Sequence, residues 1–407
     1  MLTYQRRSTL HLFAVVFALV VGLALTLGAM LSAAQAQESA PQYTFTKVAD
    51  SAEDGFDPFS FECSAINNRG DIAFRTARPA RGGGPVIQGI YRANANGKKL
   101  TTIAEFGGPG HGFDFLGQIP SINDQGQVSF AVREVSDRDF TETQSVMRGS
   151  GMKPTTIASA ADEFNRFGFE PTVNNEGVVA FKAELDTFDQ GLFSGQDGNR
   201  ANITTHYLAS TSQFSEFSTL SRPSINNLGD IAFEESVDSG SSGVFVTEGS
   251  SFRTIAEPDP NVIVGRPNLN DSGTVAFHRF FNDRAGEELV SGNGGPLTVI
   301  ADTTSGPFQS FGFTFVGFTP PALNNNGDVA FFADLDAGGS GIFVGPDPVA
   351  DRVVGTGDKL DGPAVTNLRF CDEGLNDSGQ LAFQATFNDP SVPEGVRVAV
   401  YRATPAP

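Results

Sequence analysis

Tryptophan is absent from this sequence, and cysteine and histidine are nearly so: two Cys and four His occur in 407 residues. So few cysteines exclude a disulfide-stapled mini-domain and a cysteine-built zinc module. His11 lies in an N-terminal apolar run, which leaves His111, His206 and His278 for any chemistry. They are scattered singly, with no HExxH, GxSxG or Walker-type pattern around them, and read as surface or strand residues rather than as a catalytic centre. Cations are scarce as well. Lys and Arg total 27 against 47 Asp and Glu, a formal charge of −20. Such a chain repels phosphate backbones and anionic membrane surfaces, which excludes nucleic acid as a partner.

Residues 1–36 stand apart from the rest. Arg6 and Arg7 precede an apolar run from about Leu10 to Leu31, which leads into Ala34-Gln35-Ala36. A basic start, an apolar stretch and a small-x-small site form a secretory signal peptide, cleaved after Ala36. The mature chain, 37–407, is then extracytoplasmic: periplasmic, secreted or at the cell surface. The run is also long enough to span a bilayer, so an uncleaved anchor is the alternative, and the only route by which this chain meets a membrane. Removing the leader takes the formal charge to −22.

What is plentiful is Gly (46) and Phe (37), a composition of short strands and tight turns rather than long helices. Both belong to a repeat. The segments INNRGDIAF, INDQGQVSF, VNNEGVVAF, INNLGDIAF, LNDSGTVAF, LNNNGDVAF and LNDSGQLAF begin at 66, 122, 173, 225, 269, 323 and 375. Their leading Asn are Asn67, Asn123, Asn174, Asn226, Asn270, Asn324 and Asn376, at intervals of 44 to 56 residues. Each Asn accepts a local backbone hydrogen bond, the Asn or Asp after it tolerates turn geometry, and the Gly supplies the left-handed residue that closes a hairpin corner. Those glycines are Gly70, Gly126, Gly177, Gly229, Gly273, Gly327 and Gly379. The strand that follows alternates and ends on Phe74, Phe130, Phe181, Phe233, Phe277, Phe331 and Phe383, one core position per unit. A third strand (GIYRA, GLFSG, GVFVT, GIFVG) and a fourth (LTTIAE, PTTIAS, FRTIAE, LTVIAD) complete the unit. A first strand runs into the Asn turn, as in Gln118-Ile119-Pro120-Ser121-Ile122.

Four antiparallel strands per roughly fifty residues, seven times over, predict an all-β chain: a seven-bladed β-propeller spanning 37–407. The seventh unit stops after its third strand, Ala399–Ala403, while Phe45–Asp50 precedes the first turn and resembles a fourth strand. Residues 45–50 are therefore expected to complete the last blade and close the ring. Cys63 and Cys371 fall on the first strands of units one and seven, neighbours in a closed ring; a disulfide between them and a pair of buried thiols both fit.

These seven units resemble the bacterial tandem-repeat family known for its NxxGxxAF repeat, and Gly355-Thr356-Gly357-Asp358-Lys359-Leu360 resembles that family's linker between units. The resemblance implies export and cell-surface display through C-terminal sorting segments, a pattern the residues up to Pro407 do not carry. It implies no settled biochemical activity.

For chemistry, carboxylates are the richest group. Asp186, Asp189, Asp238, Asp283, Asp334, Asp336 and Asp389 occupy loops between second and third strands, where a ring of acids offers oxygen ligands to Ca²⁺. No loop carries a complete calcium-binding run, so no cofactor is expected, with Ca²⁺ the alternative. First-strand residues Glu170, Arg222, Arg266 and Asp372 are expected to line a central channel. The connection from Thr303 to Phe318 carries Phe308, Phe311, Phe313, Phe315 and Phe318, either a ligand patch or a cap between blades. The expectation is a non-enzymatic binding or scaffold propeller for an envelope protein or a polysaccharide. A two-carboxylate glycan-acting enzyme and a calcium-dependent adhesin are the alternatives.

Overall fold

The computed structural model describes residues 43–406 apart from 80–85, 98, 108–114, 136–140, 215–220, 238–239, 315–316 and 319. Residues 1–36, and with them the expected cleavage site and His11, lie outside the described residues, as do His111, Asp238 and Phe315.

Seven antiparallel sheets of four or five strands follow one another along the chain, the arrangement of a seven-bladed β-propeller. Blade 1 is built from Ser64–Ile66, Ile72–Arg78, Ile87–Ala93 and Leu100–Gly107, in that order from the axis outward. Blade 7 takes Val365–Arg369, Leu381–Asn388 and Val396–Pro405, and its outermost strand is Tyr43–Asp50 from the start of the chain. The pairing runs from Tyr43 opposite Pro405 to Asp50 opposite Ala399. Without it the edge of blade 7 would present an open row of backbone donors and acceptors.

The repeated Phe sit where alternation puts them. Phe74, Phe130, Phe181, Phe233, Phe277, Phe331 and Phe383 are each at most 1% exposed, packed in the seams between sheets. Many meet an aromatic across the hairpin; Phe181 stacks on Phe193 with ring centroids 5.8 Å apart. The turn glycines all take positive φ, between 70° and 89°, the left-handed conformation that a Cβ disfavours.

The first strand differs from the continuous run expected. In blade 2 it is broken into Phe115–Leu116 and Ser121–Ile122, and blades 3, 5 and 6 are broken likewise. Sequence supplies the reason. Pro120, Pro171 and Pro267 have no N–H for the ladder and hold the preceding residue extended. Two or three residues before each proline the chain bends at a glycine: Gly117 bonds to the Ala131 carbonyl (2.9 Å), Gly168 to Lys182 (2.9 Å) and Gly265 to His278 (2.8 Å). A Cβ on Gly117 would collide with the carbonyl of Phe169 in the next blade. The bend carries the residue before each proline towards the axis, and this positions the site.

Candidate site at the axial mouth

The inner turns of all seven blades meet around the axis, and the leading Asn of each does two jobs. Its Oδ1 accepts from two N–H groups of its own turn, as Asn67 does from Arg69 (3.1 Å) and Asp71 (2.9 Å). Its Nδ2 donates to the backbone carbonyl of the leading Asn in the next blade. The bonds run Asn67 to Asn123 (2.9 Å), Asn123 to Asn174 (2.9 Å), Asn174 to Asn226 (3.1 Å) and Asn226 to Asn270 (3.3 Å). They continue Asn270 to Asn324 (3.1 Å), Asn324 to Asn376 (3.1 Å) and Asn376 back to Asn67 (3.0 Å). The ring closes on itself.

The second turn residue forms another closed ring. The N–H of each donates to the side-chain oxygen of its counterpart one blade on, in the order Asn68, Asp124, Asn175, Asn227, Asp271, Asn325, Asp377 and back to Asn68, at 2.8–2.9 Å. The three aspartates are thereby set between amides. Asp124 Oδ2 accepts from Asn68 (3.3 Å) and Asn175 (2.8 Å), and Asp271 Oδ2 from Asn227 and Asn325 (both 2.9 Å). Asp377 Oδ2 accepts from Asn68 (2.9 Å) and Asn325 (3.1 Å). These interblade roles were missed in reading the sequence, although the restriction of the second position to Asn or Asp in all seven copies was their signal.

Together the rings form the rim of a cavity of about 150 Å³ on the axis. Deeper in, the channel is crossed by charge. Arg222 of blade 4 contacts Asp372 Oδ2 (2.9 Å) and Glu373 Oε1 (2.5 Å) of blade 7, and donates to the Ile119 carbonyl of blade 2 (3.1 Å). Arg266 pairs with Glu170. The four residues expected to line the channel thus come together as two cross-blade pairs, with Glu373 an addition that sequence position alone did not single out. Burial disfavours the Arg222 charge, but Asp372, Glu373 and Glu170 outweigh it and hold the group above its ordinary value. Burial pushes the Glu373 carboxyl up, opposed by Arg222.

Other candidates disperse. Asp189 accepts from Ser210 (3.0 Å to its N–H), Asp334 from Ser310 (2.8 Å), and Asp389 pairs with Arg397 (3.4 Å). Among the described residues no three such side chains gather where a metal ion would sit. His206 bonds to Ser194 (2.9 Å), and His278 is buried against Phe311, with centroids 5.5 Å apart. Phe308 and Phe311 are buried between blades rather than displayed. The buried pair Lys182–Glu235 (2.7 Å) joins blades 3 and 4 out of reach of solvent. Where Tyr43–Asp50 closes blade 7, a cavity of about 420 Å³ is lined by Lys47, Asp50, Glu53, Asp361, Asp389 and Arg397, all engaged in ion pairs with one another. Cys63 and Cys371 form a disulfide between blades 1 and 7, with Cα atoms 5.8 Å apart.

Residues 66–404 match the DUF7453 family. The chain belongs to this family of unknown function. No curated protein matches it. Among solved structures, a puromycin-hydrolyzing peptidase of Mycobacterium tuberculosis aligns at a TM-score of 0.50 and 14% identity, over 90% of this chain and 55% of that one. The GH74 xyloglucanase of Xanthomonas campestris aligns at 0.45 and 13% identity, over 88% of this chain and 55% of that one. An acylaminoacyl peptidase of Pyrococcus horikoshii gives 0.49 and 7%, over 80% and 49%. This chain spans about half the length of these proteins, and at such identities the likeness to the first is one of fold; it assigns no chemistry to this DUF7453 member.

Proposed function

We propose that this chain is an exported, non-enzymatic binding propeller whose partner is a protein of the cell envelope. The observation that carries the reading is the axial mouth, a rim of amides and carboxylates held rigid by two closed hydrogen-bonded rings. A pre-set polar surface of this kind suits recognition, because little freedom is lost when a partner docks. The leader-like residues 1–36 and the Cys63–Cys371 pair fit an oxidising compartment outside the cytoplasm.

Size favours protein over polysaccharide. The mouth holds about 150 Å³, whereas clefts that bury small molecules run to about 300–1,000 Å³. It also weighs against glycan hydrolysis. That chemistry places two carboxyls about 5–10 Å apart on either side of a sugar, while Asp372 and Glu373 grip one guanidinium. The dispersal of the loop aspartates weighs against a calcium-dependent adhesin.

Site-specific photo-crosslinking from the mouth and from the opposite face, in envelope extracts, tests the reading beside co-pelleting with isolated envelope polysaccharide. A protein crosslinked from one face and no co-pelleting is the expected result. Co-pelleting without any crosslinked protein, or glycan turnover that Glu373→Gln abolishes, would overturn it. Melts of residues 37–407 in excess Ca²⁺ and in chelator are expected to coincide. A ligand at a hundred times its dissociation constant would add about 2.7 kcal/mol, so a clear upward shift with Ca²⁺ would refute the metal-free account.

A further inference from the structure

We infer that the axial mouth is a receptor for one basic side chain, a lysine or arginine presented by the protein partner. The inference rests on the binding reading above and names the chemistry of its partner.

Five carboxylates line the cavity, Asp124, Asp271, Asp372, Glu373 and Asp377, and no Lys, Arg or His does. Arg222, just beyond the lining, pairs with Asp372 and Glu373 and not with the rim aspartates. The three rim aspartates make no ion pair among the described residues; amides hold them, and amides carry no net charge. The cavity is therefore left strongly negative in a surround of low dielectric, where an opposite charge is attracted more than in water.

A second, independent feature points to a donor. Asp372 is 3% exposed, lines this cavity, and its Oδ1 accepts no hydrogen bond. A buried carboxylate oxygen without a donor is costly, and a cation seated in the cavity that Asp372 lines offsets that cost through its charge. Glu373, 22% exposed beside it, supplies an accessible acceptor.

Shape selects a side chain over a bare ion. The aliphatic residue before each turn Asn, from Ile66 to Leu375, also contributes to the lining, so the cavity has an apolar collar between polar rim and polar floor. A lysine or arginine has this profile, an apolar stem carrying a cationic head. The volume, about 150 Å³, is that of about five waters, and lysine carries five heavy atoms beyond its Cα. A metal ion is disfavoured by the separation of the carboxylates around the ring.

The test uses acetyl-Gly-Lys-Gly-amide, its arginine counterpart and its norleucine counterpart on residues 37–407, read by ligand-observed NMR. Binding of the first two, weakened by salt, and none of the norleucine peptide is expected. Glu373→Gln should weaken the cationic peptides about tenfold or more. The triple change Asp124→Asn, Asp271→Asn, Asp377→Asn should do likewise; asparagine keeps the Oδ1 that accepts the neighbouring blade's N–H, and a far-UV spectrum and a melt establish that each variant is folded before binding is read. Equal binding of lysine and norleucine peptides, or cationic binding unchanged in the triple variant, would overturn the inference. If a crosslinked protein binds these variants as well as the parent, the partner reading stands and the mouth assignment falls.

Discussion

At the scale of single residues, the leading Asn is the most economical device in the molecule. Its carbonyl oxygen completes its own turn and its amide joins the next blade, so replacing it breaks three bonds in a buried place. Asn174→Ala would leave the N–H groups of Glu176 and Val178 without their partner and take from the carbonyl of Asn226 one of its two donors, the other being the Gly229 N–H. A loss of about 2–6 kcal/mol is expected from urea unfolding, at about 1–3 kcal/mol for each of the two N–H groups left unpaired. Phe181→Ala empties a fully buried aromatic position and should cost about 3–5 kcal/mol. His278 carries a prediction of a different kind. It is buried, neither ring nitrogen has a hydrogen-bond partner, and burial lowers its pKa to about 3. The folded state therefore refuses a proton that the unfolded state accepts below its ordinary value. The stability from this group is complete above about pH 6.5 and is lost progressively as the pH falls towards 3. His278→Phe, which keeps a ring against Phe311, should move the midpoint of acid unfolding to lower pH. An unchanged midpoint would show that the carboxylates alone govern acid unfolding.

At the scale of elements, the joint between blades 7 and 1 is closed twice, by the strand Tyr43–Asp50 and by the Cys63–Cys371 bridge. The bridge spans 308 residues of sequence; a loop that long gives roughly 6 kcal/mol as a chain-entropy ceiling, with measured values ranging down to zero. Cys63→Ser should lower the melting temperature while leaving a folded ring, since the strand still seals the blade. Deleting residues 43–50 should be the more severe change, exposing the edge of Val396–Pro405. The two together should cost more than the sum of their separate effects, because each holds the joint shut when the other is lost. Additive melting shifts would show that they act on separate parts of the ring.

At the scale of the whole molecule, repetition made most of the fold legible. Seven copies of one turn and one buried Phe fixed blade number and strand order, and the truncated seventh unit announced its own closing strand. The first strand was less legible: its break depends on a glycine bend and a proline whose purpose, bringing Glu170 and Arg266 to the axis, exists only once seven blades stand in a circle. The site was legible in part. Position along the first strand marked Arg222 and Asp372 for the channel, but pairing them needed the geometry of blades that lie three apart around the ring. The sequence determined by itself everything local and periodic, namely hairpins, core positions and the count of blades, because those follow from the conformational preferences of neighbouring residues. Only the tertiary structure decided that fourteen turn residues lock into two closed rings, and that five carboxylates from three blades, one of their oxygens without a donor, meet at the same mouth. Such convergence is a property of ring closure, which joins turn residues 309 positions apart at the mouth.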